Sequence, residues 1–147
     1  MTLSLKEKLY QAANNEGIEV FYRHTIAAKS YIIKDGDYFA MAVDRKQIAS
    51  AAEEATLIGH ELGHYYTGYL YSADTPLQTR GRCEYRANAW AFRAICPVER
   101  IKEAIKNNGE NLWEIAEYLG LPEDFVAGAV AYYKGKSEPI FKGESFA

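Results

Sequence analysis

Ser50-Ala51-Ala52-Glu53-Glu54-Ala55-Thr56-Leu57-Ile58-Gly59-His60-Glu61-Leu62-Gly63-His64 is the stretch on which the reading of this chain turns. Ser50 and Glu53 have the Ser-x-x-Glu spacing of a capping box, so a helix opens here and runs to about Tyr66, with Thr67-Gly68 at its end. Inside it lies His60-Glu61-Leu62-Gly63-His64, an H-E-x-x-H. Residues four apart on a helix share a face, so both imidazoles can reach one ion. Glu61 sits beside that ion without having to ligate it, where its carboxylate can take a proton from the water the ion activates. A chain of 147 residues with three histidines shows this pattern by chance in roughly one case in several hundred.

A catalytic zinc needs a third protein ligand and one open position. The only other histidine, His24, lies upstream, at the end of a predicted strand. Downstream, Cys83 and Glu84 begin the next predicted helix, and Glu84 follows His64 by 20 residues. Glu84 is preferred, because a His-His-Glu set leaves net charge on the metal and so preserves its acidity toward water. Cys83 is its rival; helix neighbours point about 100° apart, so only one of the two can face the ion. Asn88, one turn beyond Glu84, could accept the second N–H of a ligating imidazole and so fix its ring. Tyr65, Tyr66, Tyr69 and Tyr71 crowd the exit of the metal helix. A hydroxyl or imidazole beside zinc could stabilise an oxyanion, and Tyr65 and His24 are the candidates carried forward.

Working outward, Ser4 and Glu7 cap a helix over 4–15. Residues 18–22 read as a strand, and 30–34 and 38–43 flank Asp35-Gly36-Asp37 as a hairpin. Residues 72–81 read as a loop, 82–95 as a helix, and 98–134 as three further helices that begin near Pro97, Asn111 and Pro122. The pattern is α+β and mainly helical, with a small antiparallel sheet near the N-terminus packed on the H-E-x-x-H helix. A single domain is expected over 1–134, followed by a flexible tail over 135–147. If Cys83 and Cys96 lie on one helix they are roughly 20 Å apart, too far for a disulfide. The apolar residues of 98–134 exceed what short helices need for their own cores, so part of that surface is expected to select the substrate.

Charge and hydropathy exclude other classes. The net charge is −3 with a pI near 5.7, and no basic run marks a nucleic-acid surface. No apolar stretch approaches the roughly 20 residues of a membrane span, and the first residues lack the apolar core of a secretory signal. A cytoplasmic protein with no direct nucleic-acid or membrane partner is expected.

His60-Glu61-Leu62-Gly63-His64 followed by Glu84-x-x-Ala87-Asn88-x-Trp90-Ala91 and ending at Pro97 resembles the ImmA/IrrE family of metallopeptidases. The likeness covers about 48–100. It departs where Asn88 stands for Asp, Trp90 for Phe, and Ala94-Ile95-Cys96 for Leu-Leu-Met. The resemblance implies a minimal zincin fold similar to thermolysin-type peptidases, one Zn2+ per chain held by His60, His64 and Glu84, and Glu61 as the catalytic residue. It further implies a setting on a phage or mobile element and, as substrate, a helix-turn-helix repressor encoded nearby. The competing expectation is a non-enzymatic, metal-stabilised module that binds such a repressor. An intact Glu61 speaks against it, since a purely structural zinc has no use for that carboxylate.

Overall fold

Two serine N-caps, each reinforced by a glutamate three residues on, organise the first half of the chain. Ser4 Oγ accepts the Glu7 N–H (3.2 Å) and donates to the Glu7 carboxylate (3.0 Å), opening α1, Leu5–Asn15. Ser50 Oγ accepts the Glu53 N–H (3.1 Å), and the Glu53 carboxylate accepts the Ala49 N–H (2.8 Å), opening α2, Ala51–Thr67. A computed structural model describes residues 2–25, 27–138 and 140–141. The chain divides into two units, Met1–Trp90 and Ala91–Ala147.

In the first unit, β1 (Glu19–Tyr22), β2 (Ser30–Asp35) and β3 (Tyr38–Val43) form a sheet in the order β1-β3-β2. β2 and β3 are the expected hairpin, antiparallel from Ser30↔Val43 to Asp35↔Tyr38. β1 lies parallel to β3, from Glu19↔Ala40 to Tyr22↔Val43, so the sheet is mixed rather than wholly antiparallel. The hairpin fills one side of β3, and β1 takes its other side, which makes β3 the central strand. The central strand is the most apolar: Ala40, Met41, Ala42 and Val43 are all buried. Alternation then sends Ser30 and Ile32 of β2 to one face and Tyr31 and Ile33 to the other.

α2 contributes Ala55, Ile58 and Leu62 to the core along one stripe. Ile58 and Leu62 are fully buried, each worth about 1.5–3 kcal/mol relative to exposure. On the sheet side, Phe39 meets Tyr65 of α2 edge-on, with ring centroids 4.8 Å apart. α1 is tied to α2 by Tyr10, whose hydroxyl donates to buried Glu54 (2.5 Å); Arg45 also bonds that carboxylate (3.2 Å).

α3, Leu77–Ile95, begins five residues before its expected start at 82, inside the stretch read as a loop. Pro76 supplies the first helical acceptor, its carbonyl taking the Arg80 N–H (3.0 Å). Proline at a helix start costs no hydrogen bond, and Gly81 is tolerated within the helix.

In the second unit, α4 (Val98–Asn108), α5 (Leu112–Leu119) and α6 (Glu123–Gly135) follow the expected boundaries to within a residue or two. Ile101, Ala104, Ile115, Val126 and Ala129 are buried. The Tyr133 hydroxyl donates to the carbonyls of Cys96 (2.9 Å) and Phe92 (3.3 Å), satisfying acceptors that the end of α3 leaves open. Cys83 and Cys96 are both buried free thiols, as expected. No helix among the described residues is long and apolar enough to cross a membrane. Residues 139 and 142–147, seven of the thirteen in the expected tail, lie outside the described residues.

Candidate metal centre

The site is built where α2 and α3 meet. Gly63 faces the backbone of Ala87, and that approach is possible only without a side chain. Ala87 lies between Glu84 and Asn88 on α3, so the same approach carries both of them to the histidines of α2. Glu84 Oε2 lies 2.8 Å from His60 Nε2, and Glu84 Oε1 lies 3.4 Å from His64 Nε2. The two Nε2 atoms are 3.2 Å apart. One ligand atom from each of His60, His64 and Glu84 falls within 4.8 Å of the others, the spacing of donors that converge on one ion. Cys83, on the neighbouring face, is buried and takes no part in this group.

The far nitrogens of both rings are fixed. His60 Nδ1–H donates to Asn88 Oδ1 (2.7 Å) and His64 Nδ1–H to the Tyr69 carbonyl (2.6 Å). These bonds leave each Nε2 facing the other and Glu84, the tautomer a metal ligand requires. The Tyr69 carbonyl reaches back because Gly68 ends α2 with φ +74°, a left-handed conformation that reverses the chain. Asn88 thus takes the position expected of it. The Tyr69 carbonyl was not foreseen, because a backbone acceptor leaves no mark in a sequence.

The charges explain why the group holds together. Burial opposes charge on His60 and His64, but Glu84 outweighs it and both imidazoles are raised above their ordinary value. Glu84 in turn is held far below the usual carboxylate range by His60 and then His64. Glu61 is 5% exposed, and burial pushes its carboxyl up, partly offset by the neighbouring histidines and Ser30. Two imidazoles and one carboxylate on rigid helices suit zinc better than magnesium or calcium, which favour all-oxygen shells.

A cavity of about 400 Å³ opens over these atoms. Its walls are residues 28–32 leading into and along β2, His60, Glu61 and His64 of α2, Tyr71, and Glu84. Tyr71 is the tyrosine brought to the centre: its hydroxyl donates to Glu84 Oε1 (2.5 Å), and that bond, before burial, pushes it up to about 12. Tyr65 points elsewhere, its hydroxyl on Glu16 (3.0 Å) and its ring on Phe39. His24 is also away from the cavity, its Nδ1–H on Asp44 (3.1 Å) with the ring largely exposed. Neither is placed to meet an oxyanion at this centre. Tyr65 follows His64 directly, so helix geometry turns it about 100° aside.

Residues 41–130 match the family described as IrrE N-terminal-like domain, a peptidase family. The match covers more than half of the chain and runs through both units, and the chain belongs to this family. No curated relative and no solved structure matches it.

Proposed function

We propose that the chain is a zinc-dependent endopeptidase that cuts a helix-turn-helix repressor encoded nearby on a phage or mobile element, acting in the cytoplasm. The observation that carries the peptidase reading is Glu61: a buried carboxylate lining the same cavity as a three-donor metal group, without belonging to that group. The repressor rests on the family resemblance alone. The single peptidase domain proposed over 1–134 draws support from the family match over 41–130, which runs through both units.

When bound by His60, His64 and Glu84, zinc supplies Lewis acidity that makes water a nucleophile at neutral pH. Glu61, raised by burial, is suited to accept that water's proton and pass it to the departing amine. Asn88 and the Tyr69 carbonyl keep both imidazoles aimed. The Tyr71 hydroxyl, a donor throughout the ordinary pH range, stands beside the ligands where negative charge develops on the substrate oxygen. β2 pairs only with β3 among the described residues, so its outer edge offers backbone donors and acceptors along the cavity. A peptide laid there as an added strand is held extended, the conformation in which one bond can be presented to the site.

Incubating the zinc-loaded protein with that repressor, with and without chelator, tests the reading. Chelator-sensitive cleavage supports it. Binding without cleavage would favour the non-enzymatic module instead.

A further inference from the structure

We propose that Ser30 is a positioning residue that holds the Glu61 carboxylate, an inference that rests on the peptidase reading. Ser30 is the first residue of β2, 8% exposed, and its hydroxyl donates to Glu61 Oε2 at 2.8 Å. It is the one hydrogen-bond partner of that carboxylate among the described residues. A donor on one oxygen restrains the carboxylate's rotation and leaves the other oxygen free to accept a proton.

The position of Ser30 is itself fixed from two directions. Its Cα is in register with buried Val43 on the central strand. The segment before it is held by Asp44, which accepts from the Thr25 N–H (3.0 Å) and Gln47 Nε2 (2.8 Å) and whose own N–H donates to the Lys29 carbonyl (2.9 Å). A hydroxyl held this way aims an acid–base group more sharply than a side chain on a free loop. The strand offered to the peptide and the orientation of the base are thereby one piece of structure, since Ser30 belongs to both.

The experiment compares Ser30→Ala and Ser30→Thr with the unaltered protein, using an internally quenched peptide selected from a random-sequence library. Ser30→Ala should lower kcat by about ten- to hundredfold, as expected for one hydrogen bond to a charged group. KM and zinc per chain should stay unchanged. Ser30→Thr keeps the hydroxyl and should restore most of the loss. The second readout is infrared and needs no turnover: the Glu61 carboxyl band, located by difference from Glu61→Gln, should move in Ser30→Ala and not in Ser30→Thr. A kcat within twofold of the unaltered protein, a loss confined to KM, or an unmoved band overturns the proposal. If the unaltered protein cleaves neither a library peptide nor the repressor, it is the peptidase reading that fails, and the band alone then decides whether Ser30 holds Glu61.

Discussion

A β-carbon placed on Gly63 would lie 2.4 Å from the carbonyl oxygen of Ala87, well inside contact distance. The two helices that carry the metal donors therefore touch backbone to backbone. Gly63→Ala must push α2 and α3 apart. The expected cost is about 1–3 kcal/mol, typical of overpacking, read by denaturant unfolding. Zinc content should fall as well, because Glu84 retreats with Ala87.

Donor removal should separate ligands from bystanders. His60→Ala, His64→Ala and Glu84→Ala are expected to lose most bound zinc in elemental analysis, whereas Cys83→Ser should keep it. Full occupancy in Glu84→Ala would strike that residue from the ligand set.

Glu61→Gln preserves shape and leaves the three donors intact. It should retain its metal and melting temperature yet cleave about two to four orders of magnitude more slowly, the range for losing a general base. Comparable activity in this variant would refute the assigned proton transfer.

Asp44 makes a prediction in pH. Hydrogen bonds from Gln47 and then Thr25, opposed by burial, pull its carboxyl from 3.8 to about 2. A depressed carboxylate contributes stability above its unfolded value, and that contribution disappears as pH falls from near 4 through about 2. Asp44→Asn should lose stability at neutral pH and show a flatter decline across that acid window, measured by thermal unfolding. An acid limb as steep as that of the unaltered protein would assign the transition to other carboxylates.

Gly81 lies inside α3 with open space where a β-carbon would go and no positive φ. Gly81→Ala should stabilise the protein by about 0.5–1 kcal/mol by restricting the unfolded chain, visible as a raised unfolding midpoint.

Ser50, Glu53 and the four-residue spacing of His60 and His64 made α2 and its metal face readable, because capping and helical period are local. For Glu84 and Cys83, helix geometry shows only that one of them can face the ion; the preference for Glu84 comes from the charge a His-His-Glu set leaves on the metal. α3 starts earlier than its local signals indicate, because Pro76 and Gly81 are breakers in most settings, and here one is a helix start and the other a tolerated interior residue. β1 gave no sign of lying parallel to β3; strand partners are chosen by tertiary packing. Tyr71 rather than Tyr65 reaches the centre because Gly68 reverses the chain after α2, which shifts the next aromatic back over the histidines. Ser30 was invisible for a similar reason: a serine opening a strand carries no signal until the helix beneath it is in place.

The outer edge of β2 has a second consequence, for behaviour at high concentration. An edge that accepts a peptide strand is equally open to the same edge of another copy, and such pairing is how sheet proteins aggregate. β2 is only six residues long and finishes in exposed Lys34 and Asp35, charges that must lose water if two edges are to zip along their full length. A short substrate segment can stop before them, whereas a second copy presents an equally charged edge of its own. Lys34 and Asp35 thus stand where gatekeeper charges disfavour edge-to-edge pairing of two copies.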